Sequence, residues 1–322
     1  MPTVEFPDGK IIRDGVAILD HFEEASGREY SPKSPKQKIV SLLLDVIGAE
    51  GLLRPAMHYR WHYYDKEHYE FNRLHFEGLF KGHDNAAELA DERIALLFEN
   101  ALPGFGINAK THDLIESMHL SLLEKLNNHF SVYPYLLGSK PSIGDFGLIA
   151  PFGHLGRDPK PFSLMIERAL RVFRWVERMH RPDADMGEFT FEDESFLEGD
   201  EIPETLVDLL RHFAVDFVPE TQAACTVINN WLADNPDLAT GTEAERTVGE
   251  PGSFHVKGVE MHTVAQPFRF YLLDRVYDVY DGLNENDQAE VQALLTRCDL
   301  EIILDCRITR RIGRKDNLEV WL

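Results

Sequence analysis

"YPYLLGSKPSIGDFGLIAPFGHLGRDP", residues 133–159, is the stretch on which the fold turns. Ser142-Ile143-Gly144-Asp145 has the S/T-x-x-D spacing of a capping box. In that arrangement the serine oxygen accepts from the amide at Asp145 and the carboxylate reaches back to the serine amide. The apolar run that begins at Ile143 predicts a helix fixed against a core. Removing such a cap costs roughly 0.5–2 kcal/mol.

Helical patterning extends outward from this point. Upstream, "KQKIVSLLLDVIGAEGLL" reads as a first long helix that Pro55 interrupts or restarts. Ser34-Pro35 has the form of an N-cap followed by proline at the first helical position. "AAELADERIALLFEN" and "THDLIESMHLSLLEKLNNHF" follow, separated by the breaker "LPGFG", which lacks the G-K-[ST] of a phosphate loop. Downstream, "PFSLMIERALRVFRWVERMH" is helical, and residues 183–204 form an acidic connection with ten carboxylates. Residues 204–236 predict one further helix or a kinked pair. "SFHVKGVEMHTV" alternates as a short hairpin, and two more helices begin at Pro267 and near Glu285. The basic run at 307–315 is expected to pair with acids, and "LEVWL" at 318–322 to dock onto the fold. At the other end, "TVEF", "PDG" and "KII" predict a hairpin over residues 3–13, followed by helical "GVAILDHFEEA".

Composition narrows the function classes. With 33 basic and 55 acidic residues among 322, the chain carries a net charge of −22. Such a surface repels phosphate backbones and anionic membranes, so neither nucleic acid nor membrane is an expected partner. No apolar run approaches the ~20 residues needed to cross a bilayer. Three cysteines, Cys225, Cys298 and Cys306, form no C-x-x-C and suit a reducing cytoplasm, the expected location.

Taken with the residues just quoted, the chain resembles the glutathione transferase superfamily over residues 1 to about 180. "YPYLLGSKPSIGDFGL" matches the segment that introduces that family's central buried helix. "MPTVEFPDGKIIRDGVAILDHFEEA" resembles the second half of its thioredoxin-like domain. The expected fold is therefore mainly α: a partial thioredoxin-like unit at 1–26, a transferase-type helical bundle at 27–182, and a mostly helical C-terminal extension at 183–322. A subgroup carrying "PAMHYRW" and an extended C-terminus is the nearest in pattern.

The resemblance implies glutathione as co-substrate and a set of site positions. Pro2 falls at the family's cis-proline, whose preceding residue, here Met1, contacts the cysteinyl part of the tripeptide. Asp14-Gly15 falls at the acid-hydroxyl pair that holds the γ-glutamyl end, with glycine in place of the hydroxyl. The first strand, helix and second strand of the thioredoxin-like unit, with the thiol-activating Tyr, Ser or Cys, have no counterpart, so no catalytic residue is assigned. Losing that neighbour would leave the 3–13 hairpin with an open edge. Met1 as an internal methionine of a longer frame, a cover from another chain or from the 253–264 hairpin, and simple exposure are the three explanations. A catalytically silent ligand-binding or assembly module of the same fold is the alternative function. The expected partners are a small-molecule ligand and, where assembly is the role, a second copy in a homodimer.

"PAMHYRWHYYDKEHYEFNRLHF", residues 55–76, holds four histidines and four tyrosines. As a continuous helix it places Met57, Trp61, Tyr64, His68, Phe71 and His75 on one stripe and His58, His62, Asp65 and Tyr69 on another. His58, His62 and Asp65 have the spacing of metal ligands, but the embedded glutamate of H-E-x-x-H is missing and no fourth ligand is evident, so no metal is expected. Met, Trp and Phe at helical spacing predict packing. In the family resembled, this part of the helical domain faces the ligand pocket, which makes His58, Tyr59, His62 and Tyr63 the expected wall of a substrate cleft.

Overall fold

The computed structural model describes residues 2–63, 68–181, 188–189 and 193–322. The chain is mainly helical, and among the described residues its strands pair as three separate antiparallel hairpins. β1 (Thr3–Glu5) and β2 (Ile11–Arg13) pair with Val4 opposite Ile12, joined by the predicted turn. α1 (Gly15–Ser26) follows. Its Glu23 is buried and accepts from the Tyr30 amide at 3.0 Å and the Ser31 hydroxyl at 2.7 Å, which ties the linker back onto the helix.

α2 (Pro35–Val46) starts at the expected proline with Ser34 at its N-cap position, but the side-chain cap on its free amides does not come from the Ser34 hydroxyl. Asp200 supplies it from the far end of the acidic connection, accepting from the Lys36 and Gln37 amides at 2.8 and 2.9 Å. Ser34 instead points its hydroxyl at Gln37 Oε1. A carboxylate accepts these amides more strongly than a hydroxyl, and negative charge suits a helix start. α2 passes through a π turn (Ile47–Gly51) into α3 (Leu53–His62), with Pro55 in the first turn, where its missing N–H costs little.

α3 ends at His62, and α4 (Tyr69–Leu79) starts a new helix, so the single continuous helix expected through residues 55–76 does not form. Tyr64 and Asp65 lie outside the described residues. α5 (Ala86–Leu96) packs on α4, a second π turn (Leu97–Ala101) follows, and α6 (Leu102–Gly104) is a single turn.

α7 (His112–His129) leads to α8 (Ile143–Leu155), the helix predicted from Ser142. The capping box is formed. Asp145 Oδ2 accepts from the Ser142 amide and hydroxyl at 2.8 and 2.9 Å, and its Oδ1 from the Leu136 amide and Trp175 Nε1, both at 3.1 Å. Asp145 is fully buried, and burial pushes its carboxyl up to about 6. α8 crosses α2 at very short range, backbone against backbone. α9 (Pro159–Arg168) and α10 (Leu170–Met179) complete this layer, with Trp175 stacked on Phe130.

Residues 204–234 are one helix, α11 (Glu204–Asp234), with Pro219 inside it. At ~1.5 Å per residue it runs about 46 Å. β3 (Val248–Val256) and β4 (Val259–Ala265) form the predicted hairpin and lie on α11. α12 (Pro267–Asp281) packs on α2, and α13 (Glu285–Arg297) follows.

The closing hairpin, β5 (Ile312–Lys315) with β6 (Leu318–Trp321), was not foreseen as strands. Trp321 is buried and stacks on Trp231, and the basic run pairs with acids: Arg307 with Asp281, and Arg311 with Asp274 and Asp278. This hairpin, not the one near 253–264, covers the outer edge of β2. Asn317 accepts from the Arg13 amide at 3.1 Å and donates to the Ile11 carbonyl at 3.0 Å, so its side-chain amide stands in for a neighbouring strand.

Candidate functional site

Pro2, Asp14 and Gly15 come together on the rim of an open pocket of about 700 Å³ between α1 and α8. The Asp14 amide donates to the Pro2 carbonyl at 2.9 Å, continuing the β1–β2 ladder into the rim. The peptide bond between Met1 and Pro2 falls outside the described residues. Asp14 has φ 84° and ψ 139°, a conformation that costs a non-glycine residue about 1–3 kcal/mol and must be held by its surroundings. Arg314 does that holding. It donates to Asp14 Oδ2 at 3.2 Å and also bonds the Arg13 carbonyl.

The body of the pocket is apolar. Val16, Ile18, Leu19 and Phe22 come from α1, Phe146 and Ala150 from α8, and Phe268 from the start of α12. Its carboxylates are already engaged: Asp14 with Arg314, Glu23 with the linker, and Asp45 with Arg275 at 2.6 Å. Burial pushes Asp45 up to about 6 against the pull of that guanidinium. An apolar ligand body with a polar end near Asp14 fits this lining, and the volume suits a small organic molecule. Among the described residues, the hydroxyls on the wall are those of Ser26 and Tyr30. All three cysteines are buried, and burial raises their thiols, Cys298 to about 11 and Cys306 to about 12, so they are poor nucleophiles.

A second, smaller pocket of about 180 Å³ shares Ala49 and Ala150 with the first and is lined by Met57, Arg60 and His154. Arg60 is fixed there by two 2.8 Å bonds to Asp158. So the face of α3 that approaches this groove carries Met57 and Arg60. The four residues expected to wall the cleft, His58, Tyr59, His62 and Tyr63, lie instead against α7.

His58 and Tyr59 are fully buried in that seam, and His62 and Tyr63 are half-buried at its end. His58 Nε2 and the Tyr63 hydroxyl both bond Glu116 Oε1, at 2.9 and 2.8 Å. Burial pushes His58 down to about 4. For Glu116, burial works to raise the carboxyl, but the bonds from His58 and Tyr63 prevail and hold it below its ordinary range. Tyr59 stacks on Tyr63 and contacts His119. The rings of His58, His62 and His112 cluster with centroids 4.1–5.0 Å apart. Among the described residues, no three His, Cys, Asp or Glu side chains stand arranged to hold a metal ion as they are.

Several partners in these sites had no local signal. His112 and Glu116 come from a helix fifty residues beyond His62, and Arg314 from the far end of the chain. The i, i+4 pairs H-x-x-x-H at 58–62 and H-x-x-x-E at 112–116 were the one available clue.

No family model, curated protein or solved structure matches this chain. Among the described residues, no helix is long and apolar enough to cross a membrane.

Proposed function

We propose that the chain is a glutathione transferase-type protein that binds a small apolar molecule in the α1–α8 pocket, with glutathione as its thiol partner. One observation carries this reading. The three positions that the family resemblance assigns to the tripeptide, Pro2, Asp14 and Gly15, share a rim, and that rim opens onto an apolar pocket of about 700 Å³. Asp14 would take the ammonium of the γ-glutamyl group, and the α1 and α8 side chains the apolar electrophile. A thiol reacts as its thiolate, and no described side chain on this wall is placed to lower a thiol pKa. Conjugation therefore needs an activating group beyond those seen here. Calorimetric titration with glutathione and with an S-alkyl glutathione tests the proposal. Both should bind, the alkyl derivative more tightly, and Asp14→Ala should weaken both at least tenfold. Absence of binding by either ligand rejects it.

The engaged carboxylates and apolar lining favour a second reading, a catalytically silent binding module. It predicts that a fluorescent apolar probe binds the pocket while glutathione neither binds nor displaces it.

A further inference from the structure

We propose that His62, His112 and Glu116 bind one divalent transition-metal ion of the zinc type at the open end of the α3–α7 seam. The argument begins with spacing. His112 and Glu116 are one turn apart on α7, so their side chains leave the same face, and His62 comes from the last turn of α3 opposite them. The His62 and His112 ring centroids are 4.1 Å apart. Two imidazoles bound to one zinc ion at ~2.0–2.1 Å have centroids about 5 Å apart, so the rings must turn outward from their present separation. Both histidines are half-buried, and among the described residues neither makes a hydrogen bond through a ring nitrogen.

The carboxylate is prepared as a ligand. Its two bonds, from His58 Nε2 and the Tyr63 hydroxyl, both fall on Oε1, which leaves Oε2 for the ion. His58 is fully buried and does not reach solvent, so its place is behind the carboxylate as a positioning residue. Two histidines and one glutamate are a ligand set that zinc accepts while keeping a further position open. His62 and His112 also line a cavity of about 380 Å³ with Trp61 and Phe98, large enough for water or an oxygen-donor ligand beside the ion. As they stand the side chains do not close on an ion, so binding includes the ring turns just described.

The test is calorimetric titration of the chelator-treated full chain with Zn²⁺, alongside the visible spectrum after Co²⁺ addition. One equivalent of Zn²⁺ is expected, with intense Co²⁺ bands of a low-coordinate site. His62→Gln, His112→Gln and Glu116→Gln should each weaken Zn²⁺ at least tenfold and remove the bands. Tyr63→Phe should weaken binding by a smaller factor and shift the bands without abolishing them. His255→Gln, on β3 and away from the cluster, should leave both readouts unchanged. Circular dichroism identifies any variant that misfolds, and the remaining single variants then decide. No binding by the parent chain overturns the proposal, as does parent-like binding in folded His112→Gln or Glu116→Gln.

Discussion

Gly48 and Gly147 meet backbone to backbone: a Cβ on Gly48 would sit 2.3 Å from the carbonyl carbon of Gly147. The reverse is equally tight, since a Cβ on Gly147 would sit 2.3 Å from the Asp45 Cα. The atoms in the way belong to main chain, so no rotamer change relieves the overlap. Gly48→Ala or Gly147→Ala is expected to cost about 3 kcal/mol or more. Gly78 on α4 has open space around it, and Gly78→Ala should gain up to about 1 kcal/mol. Urea unfolding midpoints of the three variants check both directions.

Asp145 should be far more costly to lose than the serine it pairs with. Asp145→Ala strands four donors at once, in a site with no access to water. A loss of about 3–5 kcal/mol is expected, against about 1 kcal/mol for Ser142→Ala. Loss of the near-ultraviolet signal of Trp175, whose indole N–H bonds Asp145, would accompany the first change and not the second. Equal costs for the two variants would contradict this account.

The start of α2 offers a test of action at a distance. Asp200→Ala should cost about 1–2 kcal/mol and speed hydrogen exchange at the Lys36 and Gln37 amides, which it holds from 164 and 163 residues away. Ser34→Ala should change neither by more than a few tenths of a kcal/mol. If Ser34→Ala gives the larger effect, the capping assignment fails.

His119 gives a pH signature. It is buried with both ring nitrogens unpartnered, and burial pushes it down to about 3. Its folded value is depressed below the unfolded one, near 6.5, so below that pH the unfolded chain takes up a proton that the folded chain refuses. Stability from this group is complete above about 6.5 and is lost as pH falls toward the folded value. His119→Leu should therefore gain on the parent as pH drops from 6.5 to 4, by at most about 1.4 kcal/mol per pH unit. Buried Asp45, Glu50 and Asp145 are raised to about 6, 7 and 6 and act in the opposite sense, losing stability as pH rises through those values. Hence the difference between variant and parent, not the parent's own curve, is the quantity to measure across pH.

What the sequence showed and what it hid follow from the range of the interactions. The capping box at Ser142, the Pro35 and Pro267 starts, the 248–265 hairpin and the acid-paired basic run depend on residues close in the chain or on bulk charge, and they were legible. The break at Tyr63 was not, because aromatic residues at helical spacing suit one helix or two equally well. Asp200 over α2 was hidden in an acidic stretch whose composition suggested only solvation. Pro2, Asp14 and Gly15, singled out by resemblance, lie on one pocket, which the turn joining β1 to β2 brings about locally. The α7 face of His58 and Tyr59 could not be placed, since periodicity shows that a stripe exists but not which neighbour it meets.

Asn317 bonds Ile11 and Arg13 across 306 and 304 positions of chain. During synthesis, then, the β1–β2 hairpin must wait for some three hundred further residues before its outer strand is latched. Until β5 and β6 leave the ribosome, β2 offers open amides to any passing strand, and Asp14 lacks the guanidinium that steadies its unusual torsion. The pocket rim is thus completed only after β5 has been made. Nascent chains stalled before residue 312 should be the species most prone to mispairing and most in need of a chaperone.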